Sequence, residues 1–299
     1  VVLSRIGLTG ATGMLGRHLR AALDTAGAET VAVSRPAIGS SSAAHWNLEQ
    51  WRSHELLDAA FAGVQAVIHA AAVVHADAPD DARMFDVNVR ATVNLAGWAA
   101  SRGIPIVFIS SSAVYAQPEA PLLTEDSALG SGPLGGFYAV TKLLAEDALA
   151  RLASRGLLRA VVRPSSLYGA GLPSSKTVNA FLEVAGRGGV ITVKPPEDDR
   201  VNMVHAADVS LAVLAILRAD AWDTFNVASD HAVSMLELAQ TCVAVAGCGS
   251  VNVDRTSLPP RAAVTRFCLD TTRAQHRLGW TTTIPLHTGL AMVLEERVQ

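Results

Sequence analysis

Short apolar runs alternate with longer amphipathic stretches through the first half of the chain. RIGLT (5–9), TVAVS (30–34), AVIHAA (66–71), PIVFIS (105–110) and RAVVRP (159–164) read as strands. Between them, residues 14–26, 51–61, 81–102 and 137–155 carry patterns of helix length. Such alternation predicts an α/β fold, a doubly wound parallel sheet covered by helices on both faces. Past residue 165 the rhythm breaks. YGAGLPSSKTVNAF and VKPPEDDR hold Gly, Pro and Ser and predict loops of a second region. MVHAADVSLAVLAILRAD then reads as a helix, and TFNVAS as a strand, so that about 203–227 returns to the main sheet. There is no internal repeat.

Composition narrows the class. Half of the 299 residues are hydrophobic and 17% are charged, enough for a large buried core. A net charge of −3 with both signs dispersed leaves no basic footprint, which predicts no nucleic-acid partner. No apolar run reaches the length of a membrane span, and the opening VVLSRIGL is too short for a secretory leader. Cys242, Cys248 and Cys268 are odd in number and lack metal-ligand spacing. They are expected to be buried reduced thiols of a cytoplasmic protein, with no metal site.

Chemistry enters at LTGATGMLGRHL. Gly10, Gly13 and Gly16 sit where the first strand turns into the first helix, with Met14 and Leu15 opening that helix. Glycines there permit a tight turn and let backbone approach a pyrophosphate, which the helix N-terminus then holds. At the start of a βαβ pattern this is the fingerprint of a dinucleotide site. The second strand ends in Ser34 and Arg35 rather than the carboxylate that accepts hydrogen bonds from an NAD ribose. A hydroxyl and a guanidinium suit a 2′-phosphate, so NADP is expected, with NAD as the alternative. Asn47 and Leu48 stand where such folds line the adenine, and Ala70, Ala71 and Ala72 let a cofactor pass close to the third strand.

The helix beginning GGFYAVTK places Tyr138 and Lys142 four residues apart, on one face. With TGATGMLG, VIHAAA, NVRATVNL, FISSSAVY, YAVTK, RPSSLYG, MVHAADV and LDTTRAQHRLGW in this order, the chain resembles the extended short-chain dehydrogenase/reductases, the NAD-dependent epimerase/dehydratase family. That resemblance implies a Rossmann domain over 1–164 and a mainly substrate-binding region over 165–299. It implies that Tyr138 exchanges a proton with the substrate, that Lys142 reaches both phenol and ribose, and that the ammonium and a cationic nicotinamide lower the phenol's pKa. A third hydroxyl completes the set: Ser111, four residues before the tyrosine of Val114-Tyr115, with Ser112 as the alternative.

The resemblance further places Pro164 and Ser166 beside the nicotinamide. Ser112, Ser165, Arg200 and Arg261 fall on the substrate side, the arginines where relatives grip a diphosphate. Dehydratases carry Asp-Glu after the catalytic hydroxyl; here Ser112 and Ala113 stand in those places, which argues against elimination. His205 and Asp208 match a structural motif, and His69 reads as a core histidine. The implied function is NADPH-dependent reduction of a nucleotide-linked 4-keto sugar by a homodimer. The alternatives are a nucleotide-sugar 4-epimerase with bound NAD, a reductase of non-sugar carbonyls, and a non-catalytic dinucleotide sensor.

Overall fold

The computed structural model describes residues 2–33, 46–74, 81–116, 122–131, 135–173, 176–256 and 266–296. Its first half alternates as β1 (Arg5–Thr9), α1 (Met14–Thr25), β2 (Glu29–Val33), α2 (His54–Ala60), β3 (Ala66–His69), α3 (Asp81–Phe85), α4 (Ala91–Arg102), β4 (Ile106–Ile109), α5 (Gly136–Ala153) and β5 (Arg159–Pro164). The second half holds β6 (Ser166–Tyr168), α6 (Thr177–Gly186), β7 (Val190–Val193), β8 (Arg200–His205), α7 (Ala206–Ala219) and β9 (Thr224–Val227). It continues with β10 (Ala232–Ser234), α8 (Met235–Ala246), β11 (Ser250–Val253), β12 (Arg266–Phe267), α9 (Thr272–Leu278) and α10 (Leu286–Glu296).

The main sheet is parallel throughout, in the order β2-β1-β3-β4-β5-β9. Because successive strand residues face opposite sides, one strand feeds two cores. Ile68, Val107, Ile109 and Val162 enter a core with Leu19 and Leu23 of α1 and Val209 and Val213 of α7. Their neighbours Val67, Ile106, Phe108 and Val161 enter another with Leu57, Leu95, Trp98 and Leu149. Strands apolar at every position are what burial on both faces requires.

Three sequence expectations need correction. The run from Met203 is not one helix: it stays extended through His205, pairs with β6, and turns helical at Ala206. The stretch read as loop after Tyr168 contains the start of α6 at Thr177. The helix expected over 81–102 is interrupted by a π-helical turn, Asp86–Arg90. There the consecutive residues Val87, Asn88 and Val89 are all buried. Asn88 binds both backbone groups of Val73, at 2.8 and 2.9 Å, and the Thr141 hydroxyl at 3.1 Å.

A third core joins α6, α8 and α10 to β7 and β8. Cys242 is buried there, but Cys248 is exposed, against the expectation for all three thiols. His69 is fully buried between Thr9 and Thr92. Thr92 gives its own proton to the Asn88 carbonyl, so His69 Nε2–H donates to Thr92 (2.9 Å) and Nδ1 accepts from Thr9 (2.6 Å). Asp208 accepts from Thr283 and Ile284, fastening the C-terminal segment. Among the described residues no helix is long and apolar enough to cross a membrane.

Candidate active site

The C-terminal ends of β1, β3, β4 and β5 open into one cleft of about 930 Å³. A second pocket of about 430 Å³ adjoins it, sharing Gly10, Thr12, Gly13, Ala70 and Ala72. The glycine turn therefore stands at the junction of a continuous trough. Open parallel sheets bind ligands at this end of the strands.

At the junction, Gly10 has φ +74° and lies so close to β3 that a Cβ would stand 2.7 Å from Ala71 N. A Cβ on Gly16 would fall inside contact distance of the Gly10 carbonyl oxygen. Gly13 caps α1 without a side chain and no acidic residue occupies its first turn. The leading amides of α1, those of Met14, Leu15 and Gly16, thus have neither intrahelical acceptors nor a side-chain cap, and they face the cleft. A diphosphate fits this cradle by charge and by space.

The smaller pocket is lined by Asn47, Leu48, Ala70, Ala71 and Ala72, all expected there. It also contains residues that sequence reasoning missed: Trp46 and the ion pair Glu49–Arg83, at 2.7 Å. Ser34 and Arg35 lie outside the described residues, as does Arg261.

In the larger cleft, Ser111, Tyr138 and Lys142 come together. Ser111 closes β4, accepts a hydrogen bond from Ala113 N at 3.1 Å, and bonds the Tyr138 phenol. Its neighbour Ser110 instead donates to Glu146. Ser112 starts a short 3₁₀ turn and lines the cleft. Lys142 is almost fully buried. Its ammonium donates to the Ile109 carbonyl at 2.9 Å and lies 4.7 Å from the Phe108 ring centroid and 5.8 Å from that of Tyr138.

The electrostatics differ from expectation at Tyr138. Burial pushes the phenol up to about 12, and the Ser111 hydrogen bond is what opposes this. Lys142 does not lower it, because the ammonium is turned toward a backbone carbonyl rather than the phenol oxygen. Burial in turn pulls Lys142 down to about 8, against the pull of Glu146. The pair is therefore a neutral phenol beside a cation in low dielectric. Such a phenol can donate a proton to a substrate oxygen.

Pro164, Ser165 and Ser166 line the same cleft from the end of β5. Ser165 is buried, and its hydroxyl has no partner among the described residues. Arg200 reaches the cleft too, but Glu237 already holds its guanidinium at 3.1 Å through both nitrogens, and the Ala232 carbonyl accepts at 3.0 Å. Glu237, which is also the acidic member of the capping box of α8, therefore competes with any diphosphate for this guanidinium. Arg17, unmarked in the sequence reading, lines the cleft from the first turn of α1 and bridges the Thr12 and Ala170 carbonyls. A cation at a helix N-terminus opposes the helix dipole. That local conflict was the available signal.

A model of the NAD dependent epimerase/dehydratase family matches residues 6–228. The chain is 31% identical to a dTDP-4-dehydro-6-deoxy-D-allose reductase of a Streptomyces species, over 80% of each chain. It is 24% identical to UDP-glucuronic acid decarboxylase 6 of Arabidopsis thaliana, over 98% of this chain and 88% of that one. Among solved structures, RMD from Pseudomonas aeruginosa complexed with NADPH superposes with a TM-score of 0.81 at 25% identity, covering 99% and 97% of the two chains. A UDP-glucose-4-epimerase from Stenotrophomonas maltophila with bound NAD and formylated UDP-arabinopyranose gives 0.83 at 23%, over 99% and 98%, a likeness of fold. With its parallel sheet, glycine turn and Ser-Tyr-Lys cleft, the chain belongs to the NAD-dependent epimerase/dehydratase family of extended short-chain dehydrogenase/reductase enzymes.

Proposed function

We propose that this protein reduces a nucleotide-linked 4-keto sugar with NADPH. The observation that carries the reading is Tyr138, a phenol bonded to Ser111 and kept protonated in the same cleft as a diphosphate-ready glycine turn. Gly10, Gly13, Met14, Leu15 and Gly16 would hold the dinucleotide's diphosphate, and Asn47 and Leu48 its adenine. Ala70, Ala71 and Ala72 would flank it, Lys142 would meet the ribose, and Pro164 and Ser166 would border the nicotinamide. When bound, this cofactor supplies a hydride to the carbonyl carbon.

The chain supplies the rest. Ser111 donates to the substrate carbonyl oxygen, and Tyr138 releases its proton to that oxygen as negative charge builds there. Ser112 and Ser165 offer hydroxyls on the sugar side, while Arg200 and Arg261 are assigned to the nucleotide diphosphate. The 31% identity to a dTDP-4-keto-sugar reductase supports the substrate class. Ser34 and Arg35, with no carboxylate between β2 and the pocket, support NADPH over NADH.

The test offers dTDP- and UDP-linked 4-keto sugars with NADPH or NADH, and UDP-hexoses with no added cofactor. Stoichiometric loss of NADPH absorbance is expected, with Arg35→Ala eroding the preference over NADH. Interconversion of UDP-hexoses without net cofactor consumption would replace the reductase by a 4-epimerase.

A further inference from the structure

Directly behind Lys142 lies a buried ion pair that the proposed reaction does not use. Glu146 stands one helical turn beyond Lys142. Arg163 of β5 grips it through Nη2–Oε2 at 2.6 Å and Nε–Oε1 at 3.1 Å, and Ser110 donates to the same Oε1. The guanidinium is itself fixed by the Tyr115 hydroxyl at 3.1 Å and the Glu125 carbonyl at 3.0 Å; Tyr115 donates onward to Asn226 at 2.6 Å. Apolar residues of similar volume often pack at least as stably as a buried ion pair. Packing alone is therefore a weak reason for a charged pair here.

Lys142 supplies a better one. Among the described residues, the charged or titratable groups that act on its ammonium are Tyr138 and Glu146 on α5 and His69 on β3, with Arg163 of β5 behind Glu146. His69 is buried and neutral, and burial has raised Tyr138. Glu146 is the group whose charge favours the ammonium. Yet the two make no contact ion pair: Arg163 and Ser110 occupy the carboxylate oxygens, and Lys142 stays directed at Ile109 on the cleft side.

We infer that Glu146, immobilised by Arg163, is a positioning residue that keeps Lys142 charged without drawing it out of the cleft. This rests on the reading of Lys142 as the lysine that meets the cofactor ribose. Arg163 is then the clamp that stops the carboxylate from collapsing onto the ammonium it serves.

The chain contains only three lysines, Lys142, Lys176 and Lys194. Protein grown on lysine labelled with ¹³C at the ε-carbon gives three resonances, and Lys142→Met assigns the buried one. Glu146→Gln is expected to move the Lys142 titration to lower pH by about one unit, a tenfold change in its acid constant. The alkaline limb of kcat/KM should move with it. Glu146→Asp, which keeps the charge and loses the bidentate fit, should leave the titration near wild type. Should Glu146→Gln fail to fold, the double variant Glu146→Leu/Arg163→Met removes both charges and should show an acid-ward shift, smaller because the Arg163 cation is lost with the carboxylate.

An unmoved Lys142 titration in the charge-removing variants overturns the inference. So does a shift in Glu146→Asp as large as that in Glu146→Gln. If the titration moves while the kcat/KM profile does not, the positioning role stands and the role given to Lys142 in the reaction falls.

Discussion

A phenol that keeps its proton is an acid, and burial keeps the Tyr138 proton in place up to about pH 12. That suits the reductive direction, in which the nicotinamide arrives without positive charge and the tyrosine must give a proton. Replacing Tyr138 by Phe removes the donor and little else. Turnover should drop by about 10²–10⁴-fold, while NADPH affinity measured by fluorescence titration stays within a few-fold of wild type. Retention of most activity would remove Tyr138 from the chemistry. The Tyr138–Lys142 spacing was legible because helix geometry fixes which residues share a face. Ser111 was legible through its place before Val114-Tyr115. The direction of the tyrosine's pKa shift was not, since it depends on burial and on the carbonyl that claims Lys142. Nor was the Arg200–Glu237 pairing, which joins residues far apart in the chain.

At the scale of elements, α7 shows how local and distant requirements meet. Its N-cap is His205, whose Nδ1 accepts from Ala207 N at 3.2 Å, and whose ring stands edge-on to His18 and Tyr168. Burial and the adjacent His18 pull His205 down to about 4. The folded protein therefore holds it neutral where the unfolded chain, with an ordinary value near 6.5, takes up a proton. Between these two values the unfolded state binds more protons, so stability falls as pH falls. His205→Asn keeps a good N-cap acceptor and deletes this titration. The loss of unfolding free energy from pH 7.5 to pH 5, measured in urea, should shrink by about 2 kcal/mol. An unchanged loss would show that His205 carries none of the acid sensitivity. Sequence pattern read this segment as continuous helix because Met203 and Val204 are as apolar as the residues of α7 itself. The cap, invisible to periodicity, is what divides strand from helix. The strands β3, β4 and β5 were legible for the opposite reason: they are buried on both faces and stand out as short, nearly unbroken apolar runs.

For the molecule as a whole, the same helices that frame the active site leave apolar side chains in solvent. Phe85, beside the π-helical turn, is 40% exposed and Leu144 on α5 is 43% exposed, while Gly97 on α4 borders open space. A symmetric pairing of α4 and α5 with their copies would cover these residues as a four-helix bundle. Sedimentation at micromolar concentration should give a dimer, and Leu144→Arg should shift it toward monomer. A monomeric wild type would remove the bundle from consideration. Nothing in the sequence distinguishes an apolar helix face that meets a second copy from one that meets its own core. The two-sided sheet and the glycine turn were legible because each answers a requirement local to one βα unit.

The order β2-β1-β3-β4-β5-β9 also has a history. Five of the six strands leave the ribosome in an unbroken βα rhythm, but the last, Thr224–Val227, comes only after β6, α6, β7, β8 and α7. Until it emerges, β5 presents an unpaired and highly apolar edge, the kind that seeks any other strand. Helix α7, which covers the sheet beside α1, is delayed with it. The nascent chain thus passes through a long interval in which its dinucleotide half is synthesised yet unsealed. An apolar edge left open for that interval is a route to misassembly that the completed sheet no longer offers.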